Sequence, residues 1–281
     1  MKIGIFDSGM GGLTVLREVL RTLPMAHYLF YADTDHVPYG NKTRAEVRER
    51  AFAALDFLAG QGCRAVLVAC NTATSAAIDE LRASFPFPIV GMEPAVKPAV
   101  LASDDRRVLV LATEMTLREP KFRDLVARVD REGIVDYLAL QELVGFAERY
   151  EFAPGPILDY LRGRFLGLEL EAYGTVVLGC THFPYFRPFL RQLMPAGTAL
   201  IDGNAGTAQR LASQVAGLEQ DSADPAGVSF YRSGRPAQAD AFRRYLDLLE
   251  AQEASSPAHG MDGRQVLGHG VPAVPSVLAH P

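Results

Sequence analysis

The chain has three cysteines, and two of them stand in matching surroundings: Cys70 in VLVACNTATS (Val66 to Ser75) and Cys180 in VVLGCTHFPYF (Val176 to Phe186). Each ends an apolar run and is followed at once by groups able to hydrogen-bond, Asn71 and Thr72 in one case, Thr181 and His182 in the other. Two thiols on opposite sides of a bound molecule can take a proton from one face of a carbon and deliver one to the other face, which inverts a stereocentre. A thiol suits either step, because its reference pKa of about 8.5 is within reach of neutral pH. A helix beginning directly after each cysteine favours the thiolate through its N-terminal N–H groups. The plainer account, small buried hydrophobes at strand ends, fits one cysteine well but leaves the matched pair unexplained. Cys63, in GQGCRAV, has no polar company and reads as structural.

Groups of this kind need elements that present them from strand ends. Short apolar runs at 2–6, 28–32, 65–69, 88–91, 107–112, 134–140, 174–179, 198–201 and 227–231 predict strands. Between them lie helix-period segments such as Arg44 to Gly60, with Val47, Ala51, Ala54, Leu55 and Leu58 on one face. Continuous apolar strands alternating with helices predict an α/β fold with parallel sheets covered on both faces. Ligands of such sheets bind at the carboxyl ends of the strands, where Cys70 and Cys180 both fall.

KIGIFDSGMGG and RVLVLATEMTL form a weak repeat, and the cysteine motifs follow at similar separations, 63 positions from Asp7 to Cys70 and 67 from Thr113 to Cys180. The expectation is two similar α/β domains facing each other across the site. The first comprises residues 1–97 plus about 207–250 and carries Cys70; the second, 98–206, carries Cys180. Residues 251–281, rich in Ala, Pro, Gly, Ser and His without periodicity, are expected to form a disordered tail.

At 281 residues, 48% hydrophobic and 22% charged, the chain suits about two soluble globular domains. A net charge of −5 without a dense basic cluster argues against nucleic acid or anionic lipid as the main partner. No apolar run approaches the roughly 18 residues of a membrane span, and the N-terminus reaches Asp7 too soon for a signal-peptide core. The expected location is cytoplasmic, with reduced thiols. Neither a disulfide framework nor a Cys/His metal site is indicated.

Five stretches, FDSGMGGLTVL (Phe6 to Leu16), YADTDHVPYGNKT (Tyr31 to Thr43), ACNTATS (Ala69 to Ser75), IVGMEPAVKPA (Ile89 to Ala99) and LGCTHFPYF (Leu178 to Phe186), resemble glutamate racemase, of the cofactor-independent amino-acid racemases. They run in family order over roughly residues 1–210. The resemblance implies that Cys70 and Cys180 are the two bases, each serving one enantiomer, with Asp7 beside the first and His182 beside the second. It implies that Ser8, Asn71, Thr72 and Thr181 hold the substrate's α-carboxylate and ammonium, and that Tyr39 and Gly40 line the pocket. It also implies D-glutamate supply for peptidoglycan, no pyridoxal phosphate, and a homodimer. GMGG at Gly9 to Gly12 lacks the spacing of a dinucleotide fingerprint and reads as a turn needing close backbone approach.

The chain departs from the family in LQELVGFAERYE (Leu140 to Glu151), where the family usually has a Cys-Pro…Val-Pro-Leu-Val-Glu segment ahead of a glutamate that pairs with the histidine. Glu148 aligns by ungapped counting, with Glu142 and Glu151 as alternatives. Thr113 and Thr116 are retained as pocket residues, while Glu119 and Phe122 stand where Ser and Tyr are common. The competing functions are a racemase of aspartate or another amino acid, a hydrolase or transferase with one cysteine nucleophile, and a non-catalytic amino-acid-binding protein.

Overall fold

The computed structural model describes residues 1–103, 106–218 and 225–255. In chain order its elements are β1 (Lys2–Asp7), α1 (Leu13–Thr22), β2 (His27–Ala32), α2 (Arg44–Gly60), β3 (Ala65–Val68), α3 (Asn71–Ser84), β4 (Ile89–Gly91), α4 (Val96–Leu101), β5 (Arg107–Ala112), α5 (Glu114–Arg118) and α6 (Pro120–Val129). There follow β6 (Val135–Ala139), α7 (Glu142–Glu148), α8 (Pro154–Phe165), β7 (Tyr173–Leu178), α9 (Arg187–Leu193), β8 (Ala199–Asp202), α10 (Asn204–Val215), β9 (Gly227–Arg232), β10 (Arg235–Pro236) and α11 (Asp240–Ala254). Every strand expected from an apolar run is present with its ends shifted by at most one residue. The two-residue β10, which pairs antiparallel with β9, has no apolar signal to announce it.

The strands form two sheets, ordered β10-β9-β2-β1-β3-β4 and β6-β5-β7-β8, with every pairing but β9–β10 parallel. Because side chains alternate along a strand, Ile3, Ile5 and Leu67 pack toward α1, α10 and α11, while Phe6, Val66 and Val68 pack toward α2 and α3. In the second sheet Leu109 and Leu111 join the cluster that holds α8 and α9 residues, and Val108 and Val110 face α4 and α6. Burying each aliphatic side chain contributes about 1.5–3 kcal/mol, so both sheets are rigid platforms. At its start α2 closes a capping box, Thr43 accepting from the Glu46 N–H and Glu46 from the Thr43 N–H.

The repeat is built into the topology: β2-β1-β3-β4 and β6-β5-β7-β8 have the same order. Phe6 pairs with Val68 and Leu111 with Leu178, which makes Cys70 and Cys180 equivalent. The same register equates Ser8, rather than Asp7, with Thr113. Counting from Asp7 is thus off by one position.

The expected tail also begins too early. Helix α11 continues through Ala254, with Glu253 paired to Arg17 at 2.7 Å and Arg21 at 2.8 Å and Gln252 donating to the Tyr185 carbonyl at 2.8 Å. Ala, Gln and Glu are good helix formers, and these contacts fix the last turn. The remainder of the expected tail, 256–281, lies outside the described residues.

Candidate active site

The first half of the site sits on β1 and β3. Asp7 is the last residue of β1 and fully buried; its carboxylate accepts from the Gly9 N–H at 3.0 Å and the Thr181 hydroxyl at 3.2 Å. Burial is the largest influence on it and raises its pKa from 3.8 to about 6. Cys70 caps α3, its Sγ accepting from the Ala73 N–H at 3.4 Å and lying 3.6 Å from Ser8 Oγ. The helix start does not prevail here. Burial first, and then the Asp7 charge, push the thiol up to about 12 against the Ala73 and Ser8 hydrogen bonds. Asp7 is within electrostatic reach of Cys70, but the polar side chain touching the sulfur is that of Ser8.

The second half sits after β7. Cys180 Sγ is 3.7 Å from His182 Nδ1, and His182 Nε2 is 2.6 Å from Glu148 Oε1 at the end of α7. Burial disfavours the imidazolium, but hydrogen bonds to Cys180 and Glu148 outweigh it and raise the His182 pKa well above its usual value. Glu142 is exposed at the start of α7 and Glu151 pairs with Arg149 at 2.9 Å, so Glu148 is the glutamate of the three that reaches His182. No α-helix begins directly after Cys180. A 3-10 turn, Phe183–Phe186, intervenes before α9, because Pro184 and three aromatic side chains fill the core there.

The two halves interlock. The Met10 N–H donates to Glu148 at 2.6 Å, Thr14 Oγ1 to the Thr181 carbonyl at 3.0 Å, and Tyr185 to the Met10 carbonyl at 2.8 Å. Thr72 lies 3.0 Å from Thr113 and 3.2 Å from Thr116, whose own hydroxyls are 2.9 Å apart. The GMGG turn is where close approach is needed: a methyl group on Gly9 would sit 2.1 Å from Glu148 Oε1, and one on Gly11 2.4 Å from His182 Nδ1. Asn71, at the first position of α3, is buried with neither amide atom partnered. Beside it stand the first N–H groups of the helix, a good setting for a carboxylate.

Tyr39 is buried and its hydroxyl donates to Asp33 at 2.7 Å; burial, then Asp33, hold that hydroxyl protonated. Asp33 also receives Ser233 Oγ at 2.9 Å. In the sequence Asp33 is marked only by following β2, as Asp7 ends β1. Gln141, which lies against Gly40, has no periodicity or motif to mark it. Cys63 is buried at the opposite end of β3 from Cys70, and burial pushes it up to about 12.

The sequence and the fold have known counterparts. The model of the Asp/Glu/Hydantoin racemase family matches residues 3–211. A glutamate racemase of Halothermothrix orenii is 50% identical over 252 residues, covering 89% of this chain and 99% of its own. Glutamate racemase 2 of Bacillus subtilis is 44% identical over 262 residues, 92% and 99% of the two chains. Among solved structures, glutamate racemase of Escherichia coli in complex with L-glutamate and the activator UDP-MurNAc-ala superposes with a TM-score of 0.77 at 33% identity, over 88% of this chain and 94% of that one. The chain belongs to the Asp/Glu/Hydantoin racemase family and is an isomerase.

Proposed function

We propose that this racemase-family chain interconverts L- and D-glutamate by two-base proton transfer, with Cys70 and Cys180 acting on opposite faces of the α-carbon. One observation carries the reading: each buried thiol has its own polar partners, Ser8 and the Asp7 charge at Cys70, His182 and Glu148 at Cys180. In one direction a thiolate takes the α-proton while the opposite S–H delivers its proton to the same carbon. The reverse reaction exchanges the roles. Burial keeps Cys70 a thiol, so it is poised to donate, while the imidazolium of His182 stands beside Cys180.

Asn71, Ser8, Thr181 and the first N–H groups of α3 are suited to hold the α-carboxylate, and Asp7 the ammonium. Donors set in place before reaction stabilise the charge that develops as the α-proton leaves. No pyridoxal phosphate enters this scheme. With Cys70 4% and Cys180 7% exposed, both thiols are shielded from water, and opening of such shielded sites commonly limits turnover. The names of the relatives support glutamate as substrate.

The role in peptidoglycan precursor supply, the cytoplasmic location and the homodimer rest on the family resemblance. The two-domain division, 1–97 with about 207–250 against 98–206, is supported by the sheet membership of the strands and by α10 and α11 packing on α1. Proton NMR of L-glutamate in deuterated water tests the central reading. It expects loss of the α-proton signal together with loss of optical rotation. Retention of both by active-site-intact protein would sink it, and retention for glutamate but not aspartate would transfer the reading to the shorter acid.

A further inference from the structure

Gln141 is the second residue after β6, at the carboxyl end of the second sheet. Its side-chain amide lies over Gly40: a methyl group there would be 2.0 Å from Oε1 and 2.8 Å from Nε2. Gly40 in turn is the neighbour of Tyr39, which belongs to the same buried cluster as Cys70. Gln141 therefore brings the segment after β6 against the segment after β2, one from each sheet.

Buried polar atoms in folded proteins are nearly always hydrogen-bonded. Among the described residues, two amides have both oxygen and nitrogen buried without a partner, and they are Asn71 and Gln141. Both stand at the carboxyl ends of strands, one from each sheet. Asn71 adjoins Cys70 and is suited to the amino-acid end of the substrate. A second unsatisfied amide, on the far loop of the same cleft, fits the other end of an elongated polar ligand.

We infer that Gln141 is a specificity-determining residue whose Nε2–H donates to the carboxylate at the end of the substrate's side chain. The inference rests on the glutamate reading above. A neutral amide suits this task, since it offers two donors to a carboxylate without placing a fixed cation in the cleft. Its Oε1 stays available to meet the Gly40 side of the cleft.

The test compares wild type, Gln141→Glu and Gln141→Leu on glutamate, glutamine and aspartate, with KM and kcat resolved and thermal midpoints recorded. A lost hydrogen bond to a charged group corresponds to roughly tenfold to hundredfold. Gln141→Glu is expected to raise the glutamate KM by about that factor, with kcat within about threefold, and to narrow the preference for glutamate over glutamine. Gln141→Leu, similar in volume, is expected to raise the glutamate KM likewise, and it supplies the reading should the carboxylate variant not fold. Unchanged KM and substrate ratios in an active variant overturn the inference alone, as does a fall in kcat and thermal midpoint with the ratios unmoved. A wild type inert toward glutamate overturns the glutamate reading and this inference with it.

Discussion

Asp7→Asn should make the protein more stable above neutral pH while impairing catalysis. Asp7 is fully buried, and its pKa is raised from 3.8 to about 6, chiefly by burial. The folded chain therefore holds a proton over a range where the unfolded chain has released it. Stability from this group is complete below 3.8 and is lost as pH rises through about 6. At about 1.4 kcal/mol per pH unit, the total loss is about 3 kcal/mol. Asn removes the titration and retains an oxygen for the Gly9 N–H. Urea unfolding followed by far-ultraviolet circular dichroism, at intervals from about pH 4 to about pH 8, gives the stability of both proteins. The difference, variant minus wild type, should grow by about 3 kcal/mol across that window and level off near neutrality. A difference that does not vary with pH would refute the assignment of a buried, late-titrating carboxyl to Asp7. Racemisation should fall in the same variant, the usual opposition of stability and function at a functional site.

Cys70→Ser and Cys180→Ser should each lower racemisation by on the order of 10²–10⁴, because a serine hydroxyl is a poor base; polarimetry measures the loss, and two active serine variants would overturn the two-base scheme. Glu148→Gln weakens the support for the imidazolium, so the His182 titration should move down, and with it any alkaline limb of the pH–rate profile that depends on the charged ring. An unshifted histidine resonance in NMR titration would count against the pairing. Gly9→Ala drives a methyl into Glu148 Oε1 and should cost about 1–3 kcal/mol; combined with Glu148→Ala the two losses should be markedly less than additive in a double-mutant cycle, and full additivity would contradict the contact.

Much of the frame is legible in the chain because its signals are local. Apolar runs and helical periodicity are read over a few residues, which is why strands such as Arg107–Ala112 and the helix Arg44–Gly60 fall where expected. The placement of both cysteines at strand ends follows from the same runs. Local signals fail where a second, distant segment decides. Glu148 is distinguished from Glu142 and Glu151 by meeting His182 and the Met10 N–H, the latter 138 positions away. Gln141 is marked by burial against Gly40, and Asp33 by the Tyr39 hydroxyl it accepts.

By itself, then, the sequence determined two like α/β halves and a matched pair of thiols at the carboxyl ends of their strands, since β-branched runs and cap residues act on their immediate neighbours. The tertiary structure decided the register that equates Ser8 with Thr113, the choice of Glu148, and the resting protonation of Cys70. There the helix start favours the thiolate, but desolvation depends on everything packed around the sulfur, and in this fold it is the larger effect.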